Sequence, residues 1–359
     1  MKTTGKQHQT PGMRWIIATF LTFLGVMLAG VTPSTAAPAQ KVMRCQAQMI
    51  PVDYGGQTIQ VYGRYCAPPG GGSRVVLAVH GATYSGEYFT GLGTSPDAQR
   101  ELASRGLASL VIDRPGHGRS THLSSLGLTI DRQAVALHQI LQSLRNGHFN
   151  GGDRPRQVTL MGHSLGSALS VVTAAKYPHD MDRLVLTGWS DMISPDTLIN
   201  LLLTKLGPAV LDQQLRPIVG LDVGALTTQP GARARLFGSP DETARTKTAD
   251  EAHKDWVGIT EVLTGVTEGI STAHTHEIQV PTLVVNGSKD DIFCAGLLQH
   301  SCSSSSALQK ALAPSFSRKL TAVSLPGYGH SLQMSPHAAG SINTVSQWLN
   351  NRNPQPVGR

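Results

Sequence analysis

Six stretches of this chain are predominantly apolar without sustained polar/apolar alternation: "SRVVLAVHG" (73–81), "LASLVID" (107–113), "RQVTLMG" (156–162), "MDRLVLTGW" (181–189), "VPTLVVNG" (280–287) and "KLTAVSLPG" (319–327). A strand with one wet face alternates. A short run without alternation suits a strand buried on both faces, as in a parallel sheet covered by helices. Helical stretches fall between the runs. Residues 131–146 carry Val135, Leu137, Ile140, Leu141 and Leu144, a second helix spans 165–177, and a third spans 336–349. The third is expected to open on Ser335 as N-cap with Pro336 at the first helical position. Strands alternating with helices predict an α/β fold with a mostly parallel central sheet and helices on both faces.

The rhythm breaks between 190 and 279. "SPDTLINLLLTKLG" (194–207) begins with a Ser-Pro cap and stops at Gly207-Pro208. "SPDETARTKTADEAHKDW" (239–256) begins at Ser239 with Glu242 in the capping-box position. No strand-like run is visible there, so 190–279 is expected to be a mostly helical insertion between a first core segment (40–189) and a second (280–359). The "SCSSSS" tract (301–306) reads as a polar loop leading into a helix.

The first 39 residues stand apart. Lys2, Lys6 and Arg14 precede the apolar run "WIIATFLTFLGVMLAG" (15–30), and "VTPSTAAPAQ" follows, rich in small residues. That is the pattern of a secretory signal peptide, with cleavage expected between 36 and 40 and Met13 an alternative start. The run is shorter than the roughly 20 residues a membrane span needs. The expected location is therefore secreted or extracytoplasmic, with no stable span after cleavage. The formal charge is +7, but residues 1–39 hold three basic and no acidic side chains, which leaves +4 on the rest. No Lys/Arg run survives there, so a nucleic-acid partner is not expected.

Export to an oxidising compartment predicts disulfides for the four cysteines. "CQAQMIPVDYGGQTIQVYGRYC" (45–66) reads as a hairpin turning on Gly55-Gly56. In that register Cys45 faces Cys66 at a non-hydrogen-bonded pair, where Cα atoms lie about 4.5 Å apart and a disulfide can close. Cys294 and Cys302 then pair with each other. CxxC metal spacing is absent, and "HTH" (274–276) lacks a third ligand at fitting spacing, so no metal and no organic cofactor are expected.

One motif carries chemistry. "LMGHSLGSALS" (160–170) sets Ser164 in a G-x-S-x-G between a strand and a helix. This strand–turn–helix context lifts the hydroxyl out at the carboxyl edge of the sheet. A serine hydroxyl needs a base, and the base an orienting acid. "NGSKDD" offers Asp290 and Asp291 after one strand, and "PGYGHS" offers His330 after the next. The oxyanion hole needs two donors. Leu165 N–H at the helix start supplies one, and Ala82 N–H in "HGATYSG" (80–86) the other.

With these pieces in order, the sequence resembles the α/β-hydrolase fold superfamily, in its esterase and lipase branch with a G-H-S-x-G elbow. "HGATYSG", "DRPGHGRS" (113–120), "GHSLG" (162–166), "VNGSKDD" (285–291) and "GYGHS" (327–331) carry the resemblance, over about residues 70–350. It implies Ser164 as nucleophile, Asp290 rather than Asp291 as acid, and His330 as base, with 190–279 as a cap over the site. The disulfide-tied hairpin and the "FCAGLLQHSC" stretch after the acid depart from the common pattern.

Asp191, just past a strand, is a third candidate acid. The other competing residues take structural roles in this reading: His337 is a surface residue, His163 packs, and His80 braces the oxyanion loop. Asp113, Arg114 and His117 organise their own loop. The leucines of the insertion (198, 201, 202, 206, 211 and 215) pack it onto the sheet and are candidates to line an acyl pocket. The expected function is exported serine hydrolysis of a small-molecule carboxylic ester, lactone or acylglycerol. The alternatives are an acyltransferase or thioesterase with the same triad, or a non-enzymatic binding protein on this fold. Activities of the fold that use an aspartate nucleophile are disfavoured by Ser164.

Overall fold

The computed structural model describes residues 43–270, 272–295 and 299–351; the expected signal segment lies outside them. The eight strands of the central sheet are β1 (Arg44–Asp53), β2 (Thr58–Ala67), β3 (Arg74–Val79), β4 (Ala108–Ile112), β5 (Gln157–His163), β6 (Arg183–Thr187), β10 (Thr282–Gly287) and β11 (Leu320–Leu325). Among the described residues three further strands, β7 (Leu206–Pro208), β8 (Ala225–Thr228) and β9 (Val257–Gly258), lie between β6 and β10 in the chain. The sheet order is β1-β2-β4-β3-β5-β6-β10-β11. β1 and β2 are antiparallel, and β2 runs antiparallel to β4. Every pairing from β4 through β11 is parallel.

The unalternating runs have a direct physical cause. Along β3, Val75, Leu77 and Val79 face one apolar layer and Val76 and Ala78 the other. The same division separates Leu160 from Met161, and Val284 from Leu283 and Val285. The helices Ile130–Arg145 and Leu165–Lys176 cover the first face through Leu137, Ile140, Leu169 and Val172. The helices Ala98–Ser104 and Ala338–Leu349 cover the second through Leu102, Ile342 and Val345. With both faces dry, the strands are apolar at most positions, and the polar residues they do carry, such as Ser109, Asn286 and Ser324, are buried and hydrogen-bonded.

The hairpin has the expected register, Asp53 opposite Thr58 and Cys45 opposite Cys66. Gly55 and Gly56 both take positive φ (69° and 86°), which a two-residue turn of this hand requires. Cys45 is bonded to Cys66, with Cα atoms 4.1 Å apart, and Cys294 to Cys302.

Three local expectations are corrected. The segment between β6 and β10 is not free of strands: β7 (Leu206–Pro208), β8 (Ala225–Thr228) and β9 (Val257–Gly258) form a small antiparallel sheet. Strands of three, four and two residues are too short to show a period. The helix after Ser239 starts at Ala244 on Thr243, whose hydroxyl accepts from Thr246 N–H, while the Ser239 hydroxyl accepts from Gly329 N–H. The last helix begins at Ala338; the Ser335 hydroxyl caps His337 N–H one turn earlier. Ser194 does cap Pro195–Asn200, with Pro195 in the first turn. Among the described residues no helix is long and apolar enough to cross a membrane.

Candidate active site

β5 ends at His163, and the helix Leu165–Lys176 begins two residues later. The chain can turn that sharply only if nothing stands in the bend. A methyl on Gly162 would lie 2.4 Å from Gly166 O, and one on Gly166 would lie 2.4 Å from Val79 O. Ser164 itself sits at φ 54°, ψ −121°, where a non-glycine residue is strained and must be held by its surroundings. Its N–H donates to Thr187 O at 2.9 Å, and its carbonyl accepts from Ser167 N–H at 2.8 Å.

The hydroxyl so presented meets the ends of two more strands. Ser164 Oγ lies 2.9 Å from His330 Nε2, and His330 Nδ1 lies 2.9 Å from Asp290 Oδ2. The other carboxylate oxygen, Oδ1, accepts from Ile292 and Phe293 N–H at 2.9 and 3.1 Å. Both Asp290 oxygens are therefore engaged, and the side chain is buried. The His330 ring is boxed by Phe237, Phe293 and His163.

The competing residues are occupied elsewhere. Asp291 is exposed. Asp191 binds His300 Nε2 at 2.8 Å and the Ser315 hydroxyl. His337 is exposed and pairs with Asp241 at 3.3 Å. His163 stacks on Tyr88 with centroids 4.3 Å apart; burial, then the nearby His330, holds it well below the usual histidine range and therefore neutral. Among the described residues, no three His, Cys, Asp or Glu side chains are grouped to hold a metal ion.

Ala82 and Leu165 both border the serine. The loop carrying Ala82 comes close because Gly81 has no side chain; a methyl there would sit 2.9 Å from Ser164 Cβ. Neither the Ala82 nor the Leu165 N–H donates to another protein group among the described residues. Leu165 is the first residue of its helix, so its N–H has no intrahelical acceptor.

Above the serine lies a pocket lined by Ser164, His330, Tyr84 and Phe293 and, from the insertion, by Leu198, Leu201, Leu206, Val262, Val266 and Ile270. Apart from His330, no lining residue is ionisable below the tyrosine range. Of the leucines named from sequence, 198, 201 and 206 line the pocket, 215 is buried outside it, and 211 is 80% exposed.

Several residues at the site escaped sequence reading. Ser331 N–H donates to Phe237 O at 2.8 Å, and Gly329 N–H to the Ser239 hydroxyl at 3.0 Å, so both neighbours of His330 hang from the insertion. Arg233 and Glu261 are buried ionic residues of the insertion that reach the core, and Asp250 is buried against Arg233. Nothing in "PGARARLFG" distinguishes Arg233 from Arg235.

Fold and site together define an α/β-hydrolase architecture. The chain belongs to the alpha/beta hydrolase family, whose model matches residues 75–339. A monoacylglycerol lipase of Mycolicibacterium smegmatis is 26% identical over 226 residues, covering 60% of this chain and 70% of that protein. A probable serine hydrolase of Drosophila melanogaster is 34% identical over 76 residues, 21% of each chain. Among solved structures, a thermophilic esterase from Thermogutta terrifontis superposes with a TM-score of 0.57 at 18% identity, covering 85% of this chain and 98% of that one. The enol-lactonase of Burkholderia xenovorans gives 0.55 at 16% identity, covering 84% and 100%.

Proposed function

We propose that this chain is an exported serine hydrolase that cleaves carboxylic esters with an uncharged, apolar acyl or alcohol part. One observation carries the reading: an unbroken hydrogen-bonded chain from Ser164 through His330 to Asp290, opening into a pocket without lysine, arginine or carboxylate.

In this reading His330 Nε2 takes the Ser164 proton as Oγ attacks the ester carbonyl. Asp290 holds the imidazole with Nδ1–H toward itself and stabilises the cation that forms. The tetrahedral oxygen takes its negative charge between Ala82 and Leu165 N–H. Collapse expels the alcohol, which leaves with the proton from Nε2. Water, deprotonated by His330, then releases the acid and restores the serine. Residues 190–279 act as the cap, since they supply most of the apolar wall and set which ester fits. The monoacylglycerol lipase, the esterase and the enol-lactonase among the similar proteins support an ester substrate. Export is supported by the N-terminal pattern and by two disulfides in one chain.

A chain-length series of p-nitrophenyl esters and a lactone panel test the reading on the mature protein. Wild type should turn over uncharged esters and discriminate against charged acyl groups. Ser164→Ala should fold normally and lose about 10⁴-fold or more in kcat. A variant that keeps more than roughly one hundredth of wild-type kcat would exclude Ser164 as nucleophile, since triad members act as a unit.

A further inference from the structure

An oxyanion donor is useful only if it points at the developing charge. Ala82 N–H belongs to the planar peptide it shares with the Gly81 carbonyl, and in a trans peptide the two point in opposite directions. Whatever holds Gly81 O therefore aims Ala82 N–H. Two groups hold it: His80 Nδ1 at 2.9 Å and Arg114 Nη2 at 3.3 Å. His80 Nε2 in turn accepts from Arg114 N–H at 2.9 Å, which leaves the proton on Nδ1 to donate. Burial, then the Arg114 charge, keeps this imidazole neutral.

The far side of the loop is held as firmly. Thr83 has φ 58°, a region that a β-branched residue occupies only under constraint. Its carbonyl accepts from Asp255 N–H at 2.9 Å and from Arg233 Nη1 at 3.1 Å, and its hydroxyl lies 2.9 Å from the same Nη1. Arg233 is fixed by a two-pronged pair with Asp250, at 3.0 and 2.9 Å. Arg114 is fixed by Glu261, which also binds His117 and Gly258 N–H. Asp250, Asp255, Glu261 and Arg233 all come from the insertion; the loop they hold comes from the core.

We propose that Arg114 and Arg233 are positioning residues that aim the Ala82 N–H, and that the insertion, through Asp250 and Glu261, is part of the oxyanion machinery as well as a wall of the pocket. This rests on the serine-hydrolase reading above.

The test compares wild type with Arg233→Met/Asp250→Asn, which removes the pair without stranding a buried charge. The readouts are kcat and KM on the best p-nitrophenyl ester and the Ki of an alkyl trifluoromethyl ketone, which forms an anionic tetrahedral adduct with serine. The expected result is a roughly hundredfold loss of kcat, comparable to losing one oxyanion donor, at nearly unchanged KM, with ketone affinity falling in step with kcat/KM. Should the double variant not fold, Thr83→Val decides. It keeps the side-chain volume, deletes the hydroxyl contact with Arg233, and should lose about tenfold in kcat with the same ketone signature. An unchanged kcat, a loss residing in KM, or an unaltered ketone affinity overturns the proposal. A wild type inert on every ester overturns the parent reading instead, so the two failures are distinguishable.

Discussion

The central sheet and the insertion contribute to the same site in different ways. Ser164, Asp290 and His330 each leave the carboxyl end of a parallel strand (β5, β10 and β11), so their spacing follows from strand pairing. The insertion brings no group to the hydrogen-bonded chain. It holds loops beside that chain: Phe237 O and the Ser239 hydroxyl accept from the neighbours of His330, and Arg233 grips Thr83 in the Ala82 loop. A sheet dry on both faces is a stiff place to root reactive groups. Loops at its edge have no such support and need a second layer. In the proposed mechanism the sheet carries the groups that react and the insertion those that aim them, and each can be broken alone.

The largest effect should come from the sheet side. Asp290→Asn leaves the imidazole without a partner for its charged form and should cost about 10⁴ in kcat. Asp291→Asn, one residue away and exposed, should be near wild type. Steady-state kinetics on the two variants suffice, and reversed ranks would move the acid off Asp290.

The two disulfides sharpen the contrast between stability and aim. Cys45–Cys66 closes a span of 21 residues at the edge of the sheet, where chain entropy gives about 3 kcal/mol, and it is remote from Ser164 in the strand order. Replacing both by alanine should lower the melting temperature and leave kcat intact. Cys294–Cys302 closes only 8 residues, but Cys294 N–H donates to Asp290 O at 3.0 Å. Its removal should reduce kcat severalfold with the smaller thermal shift. Paired melting curves and kinetics check both, and the idea fails if the two bonds exchange effects.

The smallest effect concerns the layer under the His330 loop. Glu242 is buried, its Oε2 has no hydrogen-bond partner, and burial followed by repulsion from Asp250 pushes its carboxyl up to about 7. An acid raised above its unfolded value near 4.3 stabilises the fold least when ionised. Stability should therefore fall as pH rises from about 4.5 to 7, by about 2 kcal/mol from this group. Glu242→Gln should flatten that slope. Denaturant melts at pH 4.5 and 8 measure it, and equal slopes in both proteins would refute the assignment.

Legibility in the sequence followed the range of the forces involved. The six core strands were readable because burial on both faces leaves its mark on every residue of a short run. The Cys45–Cys66 pairing was readable because a two-residue turn sets the register of everything beyond it. Helix starts were read less well where two hydroxyls competed: Thr243 rather than Ser239 caps its helix, because the Ser239 hydroxyl is taken by Gly329 N–H from another part of the chain.

The sequence by itself determined the α/β layering, the hairpin register and the strand–turn–helix that presents Ser164, because each is written in neighbouring residues through burial period, turn geometry and glycine placement. It left Asp290 and Asp291 side by side as candidates on local grounds. Tertiary structure decided which residue turns inward beneath His330. It also decided that Arg233 meets Thr83 across 150 positions and that Glu261 meets Arg114 across 147. Such contacts leave no local trace. A buried arginine and an exposed one differ only in what the rest of the chain folds around them, and a buried charge is tolerable only where its partner has been brought to it.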